Sequence, residues 1–238
     1  MTGTETSGDA EIPKGLIDSV VHLVSTGPVP LGAYTLAEID AVNGVIDFIE
    51  REPAPELVAE AVRSLAARNL ITTAAGADQV QVRGDLGIAL AFQERARVVV
   101  DARVTGSAPD RPWRFLLMPQ PEGVTLEVLI DALGIHFYSL RTTEEAQERL
   151  WERLPHGDRG PRDADADGVL AASPATALVS VSHWEADGTR DTHDLVLAQD
   201  GDTCHVFARD PDAPQTLVAQ GLDDDEWRQV VRGLAAPR

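Results

Sequence analysis

RVVVDARVTGSAPDRPWRFLLMPQPEGVTLEVLIDALGIHFYSLRTTEEAQERLWERL, running from Arg97 to Leu154, sets the architecture of the chain. Its apolar runs Val98 to Thr105, Trp113 to Pro119, Val124 to Ile130 and Ile135 to Leu140 are each broken by turn residues and predict strands. Thr143 to Leu154 then predicts a closing amphipathic helix. The same order comes again. Ala177 to Glu185, Thr192 to Ala198, Thr203 to Ala208 and Thr216 to Val218 read as strands, and Asp223 to Leu234 as a helix. Landmarks recur at an offset of about 80 residues, Thr143 matching Asp223 and Trp113 matching His193. The expectation is an α+β protein: an N-terminal helical segment, then a quasi-repeated antiparallel sheet with each half closed by a helix.

Upstream, Leu16, Val20, Leu23 and Val24 share one face of a short helix that Gly27, Pro28 and Pro30 end. Thr35 and Glu38 have the spacing of a capping box for a second helix with the stripe Ile39, Val42, Val45, Ile46 and Ile49. A third helix spans Glu56 to Arg68, with Asn69 as a left-handed stop, and a small hairpin joins Leu70–Thr73 to Val80–Arg83. Asp85 to Glu94 bridges to the sheet. The domain order is a disordered tail at 1–13, a winged-helix-like segment at 14–83, and a first sheet-plus-helix half at 84–155. A Gly-, Pro- and Asp-rich linker at 156–172 and a second half at 173–238 follow.

Charge narrows the partners. The chain has 20 Lys plus Arg against 39 Asp plus Glu, a net charge of −19. Phosphates are bound by displacing counterions with Lys and Arg, so nucleic acid and anionic membrane surfaces are disfavoured. Met1 to Arg83 holds 5 basic and 12 acidic residues, the wrong field for a DNA-reading winged helix. A transcriptional regulator is therefore the alternative reading, and an enzyme of unknown reaction a more distant one. One cysteine, Cys204, forms no internal disulfide, and neither a secretory signal nor a membrane-spanning run is present, so cytoplasm is the expected location.

Motif by motif, chemistry is not called for. Asp163, Asp165, Asp167 and Gly168 imitate the start of an EF-hand loop, but position 12, which needs a bidentate Glu, falls on Pro174. His183, His193, Cys204 and His205 have ligand chemistry. With Asp187-Gly188 and Asp200-Gly201 as two-residue loops, however, His183 sits opposite Thr192, His193 turns to the other face, and Cys204 lies opposite Leu197. His183 and His205 then share a face about 16 Å apart, too far for one metal ion. Ser173, Ser180 and Ser182 lie outside a nucleophile elbow, and no Walker or dinucleotide-binding glycine pattern occurs. No catalytic residue, metal or cofactor is expected. The one candidate site is for another protein: the loop Gly106 to Pro112 projects, and Asp110 and Arg111 with Trp113 at its base form a partner-binding set. Changing Arg111 and Trp113 is expected to weaken partner capture more than stability.

The order of elements, with a helix ending in LAARNLI (Leu65 to Ile71), a short strand with a glycine turn, a bridging helix and two related strand-and-helix halves, resembles the EspG family of ESX (type VII) secretion-associated proteins of actinobacteria. The resemblance spans roughly Leu36 to Leu234 and is one of pattern, without a short motif matched residue by residue. It implies a cytosolic, non-enzymatic chaperone that keeps secreted PE and PPE substrates soluble, built on a quasi-two-fold antiparallel sheet. A partner helix would dock against the sheet edge, the projecting loop or the helices.

Overall fold

The computed structural model describes residues 12–42, 53–73, 80–106, 113–185 and 188–236. In chain order these hold α1 (Lys14–Val24), β1 (Val29–Thr35), α2 (Leu36–Asp40), α3 (Pro55–Ala67), β2 (Ile71–Thr73), β3 (Val80–Val82) and α4 (Gly84–Arg95). The first half follows: β4 (Val98–Thr105), β5 (Arg114–Pro119), β6 (Val124–Ile130), β7 (Ile135–Thr142) and α5 (Thr143–Trp151). After β8 (Asp158–Arg159) and α6 (Ala166–Ala172) comes the second: β9 (Ala175–Trp184), β10 (Arg190–Asp200), β11 (Thr203–Arg209), β12 (Leu217–Ala219) and α7 (Asp224–Leu234). The protein is α+β, as the apolar runs require.

The strands form one sheet in the order β1-β7-β6-β5-β4-β9-β10-β11-β12, with β8 parallel to β11. Its two meanders meet where β4 runs antiparallel to β9, from Val98 opposite His183 to Thr105 opposite Thr176. A quasi-two-fold axis therefore passes between these strands, and α5 and α7 close the two halves on a common face. Trp151 and Trp227 meet edge to face at 5.3 Å, and Arg232 reaches Glu148 at 3.2 Å, so the helices cross antiparallel. Capping boxes start both, Thr142 with Glu145 and Asp223 with Glu226. Each box satisfies two amide donors that a bare helix end leaves unpaired. Alternation along the strands sorts the core: Val98, Val100, Phe115, Leu117, Val179, Val181 and Leu197 face α5 and α7. Val99, Leu116, Met118, Leu126, Val128 and Leu140 face α1 and α4 on the opposite side, where the Thr35/Glu38 box also starts α2.

The structure departs from the sequence expectation at several places: α2 ends at Asp40, leaving Val42 in a turn, Ile12 of the expected tail is buried in the core, and two longer segments change role. Residues Val29 to Thr35, of which Pro30 is part of the expected helix stop, form β1 and pair with β7 at the sheet's edge. Pro30 is tolerated there because an edge strand has only one paired side, and the register shifts between Pro30 and Gly32. Proline and a bulge also blunt that edge against further strand addition. The expected linker, His156 to Ala172, carries β8 and α6 and straps the second half. Asp158 N–H donates to Asp202 O at 2.7 Å, Gly160 N–H to Cys204 O at 3.1 Å, and α6 packs on β10 and β12. A Cβ at Gly160 would lie 2.7 Å from His205 Nδ1, so only glycine lets the strap approach this closely. Residues 43–52, with Val45, Ile46 and Ile49 of the predicted stripe, lie outside the described residues.

Candidate interaction surface

At the corner of the first half, β6 and β7 are joined by Asp131 to Gly134. Asp131 Oδ1 accepts the amides of Leu133 and Ile135, both at 2.9 Å, the local bonding that favours aspartate in turns. Gly134 adopts φ +75° and donates its N–H to Asp131 O at 3.0 Å. Trp113 prolongs β5 backwards: its N–H donates to Ile130 O at 3.0 Å, and its carbonyl accepts from Val104 at 2.8 Å. The indole Nε1 donates to Asp131 O at 2.9 Å, which lays the ring against the turn.

Register puts Phe115, Leu129 and Phe137 on the face that carries α5 and α7. Phe115 is buried under those helices and Leu129 only half-buried at their margin. Beyond that margin the cover stops. Phe137 is 42% exposed, Trp113 40% and Leu133 86%. Apolar side chains this open on three adjacent segments form a patch of the kind that marks association surfaces. Leu133 and Phe137 were missed from sequence, although a leucine inside a four-residue turn was a readable signal. Of the predicted set, only Trp113 can be placed; Asp110 and Arg111 lie outside the described residues.

Among the described residues, the cations of the neighbouring strands are turned away from this corner. Arg114 binds Asp101 in bidentate fashion at 2.9 and 2.8 Å, and Arg103 reaches the same carboxylate at 3.3 Å. All three side chains lie on the opposite face, as their pairing with Leu116 and with one another requires. Arg141 is held by the buried Glu127 at 2.9 Å. On α3, Arg63 pairs with Glu60 at 2.7 Å, and Arg68 bonds Glu38 at 2.9 Å while lying over Tyr34.

The remaining candidates fall into structural roles. Asp165 caps α6, its Oδ2 accepting from Gly168 N–H at 3.1 Å, and Asp163 and Asp167 are exposed. The histidine register is corrected. Glu185 and Thr189 close the first hairpin, so its loop holds three residues rather than two, and His183 lies opposite Asp191 instead of Thr192. That one-residue change places His183 and His193 on one face, because strand side chains alternate. Gly201 and Asp202 form the second loop, which puts Cys204 opposite Gln199 rather than Leu197, and His205 on the face opposite His183. A glycine at φ +60° in the first loop position suits a type II′ turn. Among the described residues no group of three or more His, Cys, Asp and Glu side chains is placed to hold a metal ion. Burial pushes the Cys204 thiol up to about 12, where it is no nucleophile at neutral pH. No described helix is long and apolar enough to cross a membrane.

Fold and surface define a class, an α+β protein on a doubled antiparallel sheet with one open apolar corner. Comparison with the known protein families and with curated proteins finds no match.

Proposed function

We propose that the chain is a non-enzymatic cytosolic protein-binding protein, a chaperone or adaptor of the kind the EspG resemblance implies, and that Trp113, Leu133 and Phe137 meet its partner. The observation that carries this reading is the exposure of these three apolar side chains at one corner, on a frame fixed by the β6–β7 turn. Such residues cost solubility when left bare and gain free energy when covered. The doubled sheet, each half closed by its helix, is the feature shared with the resemblance.

Quantitative affinity capture from a lysate of the native host, with the wild-type chain and with Leu133→Asp, tests the reading. One partner is expected in stoichiometric amount with the wild type. Covering a leucine is worth about 1.5–3 kcal/mol, so L133D is expected to retain at most about a tenth of it. Equal recovery by both proteins, or retention of salt-sensitive DNA in place of a protein, would refute it.

A further inference from the structure

We infer that the occupant of this corner is a basic amphipathic segment of another protein, with an apolar stripe covering Trp113, Leu133 and Phe137 and Lys or Arg beside that stripe. The inference rests on the protein-binding reading above and goes on to the partner's charge. Asp131 stands at the centre of the corner, in the turn that displays Leu133 and under the Trp113 indole. The cations of the neighbouring strands are spent elsewhere: Arg103 and Arg114 on Asp101 across the sheet, and Arg141 on Glu127. Among the described residues, what remains at the corner is an apolar patch in the field of a chain with net charge −19.

That field selects among occupants. A second copy docked corner to corner would bring two chains of −19 together and set one Asp131 near another, which like charge opposes. An anionic lipid surface meets the same repulsion. A segment with cations flanking its apolar stripe gains from both terms, and long-range attraction speeds its encounter. The corner is also not a requirement of the fold. In the second half, the same face near the free end of its first hairpin carries Asp191 and His193, in contact at 3.2 Å. A doubled sheet thus closes without tryptophan and phenylalanine there.

Fluorescence anisotropy with two labelled synthetic helical peptides tests the inference. Both carry the same leucine stripe, and their remaining positions are lysine in one and glutamate in the other. The lysine peptide is expected to bind at least about tenfold tighter at about 50 mM salt, with the gap closing towards about 500 mM. Leu133→Ser, at the most exposed of the three positions, is expected to weaken it about tenfold. Asp131→Asn keeps the Oδ1 acceptor of the turn, removes the charge, and is expected to reduce only the lysine preference. Equal binding of both peptides, or lysine-peptide binding indifferent to L133S, overturns the inference. Light scattering that finds a dimer lost in L133S overturns it in favour of a second copy. If host capture is lost in L133D but the glutamate peptide binds best, the charge assignment fails while the protein-binding reading stands. Failure of both assays removes both.

Discussion

Asp101 and Arg114 sit back to back with the quasi-two-fold axis, on the face away from α5 and α7, and their side chains are only 6% and 7% exposed. Asp101→Ala removes two buried charge-assisted hydrogen bonds, at 2.9 and 2.8 Å, from a guanidinium that burial keeps from water. Bonds to charged groups are worth about 1.5–3 kcal/mol each, and breaking one side of a buried pair costs about 3–5 kcal/mol. Arg103, the third member, is 34% exposed and can turn to solvent, so its share is small. With a urea slope of about 2 kcal/mol per M, a loss of about 4 kcal/mol lowers the unfolding midpoint by about 2 M. The double variant Asp101→Leu/Arg114→Met removes both charges and keeps volume, so it is expected to recover most of that loss. Urea unfolding followed by tryptophan fluorescence reads all three proteins. A single variant that shifts the midpoint by less than about 0.5 M, or a double variant as unstable as the single, would refute the claim that a buried guanidinium deprived of its carboxylate is what costs.

Two further outcomes follow from local geometry. Burial, with Arg114 nearby, lowers the His136 pKa below its ordinary value against the opposing bond to Gly134, so the folded state binds fewer protons than the unfolded chain. Stability present above about pH 6.5 is then lost as pH falls through that value towards the folded pKa, and His136→Asn should flatten this acid branch in urea midpoints measured between about pH 7.5 and 5.5. Gly106 and Gly123 share the left-handed backbone, at φ +76° and +75°, but a Cβ at Gly106 would lie 2.1 Å from Pro174 O while Gly123 has open space. Gly123→Ala is therefore expected to cost about 1–2 kcal/mol and Gly106→Ala clearly more in thermal melts, and equal losses would contradict the close approach of Pro174, just before β9, to the end of β4.

Where a strand is buried on both faces, its limits were legible in sequence. β4 and β6 begin and end where the apolar runs do, Val98–Thr105 and Val124–Ile130. The capping box of Thr35 and Glu38 was legible for the same local reason, since the two need only each other, while those of Thr142 with Glu145 and Asp223 with Glu226 went unread. β1 was not legible, because Pro30 and Gly32 argue for a loop until an edge position with one unpaired side makes them harmless. β8 and α6 were not, because two residues of pairing and seven of helix are imposed by contact with β11, β10 and β12 rather than by periodicity. The histidine faces failed on a single residue of loop length, which no propensity reports. Trp113 was placed by its position at a loop base. Leu133 and Phe137 became candidates only once the margin of the α5 and α7 cover was known.

That margin also explains why a repeated sheet need not carry function twice. On the face away from α5 and α7, the first half presents Leu116, Met118, Leu126 and Val128 and is covered by α1 and α4. The second half presents Ser180, Ser182, Thr192 and Asp194 on that face, bonded among themselves at 2.7 and 2.9 Å. Polar residues at this position need no apolar helical layer, and farther out the buried Ala198 and Phe207 lie on the side that the strap approaches at His205. The N-terminal elements are thus tied to one half by composition, and β1 extends that half alone. On the other face the two helices cover the centre and leave a corner at each end: Trp113, Leu133 and Phe137 in the first half, and Asp191 and His193 with the exposed Val218 in the second. Packing explains the shared centre. Among the described residues no element covers Leu133, which is 86% exposed, and that open leucine is what the proposed partner would meet.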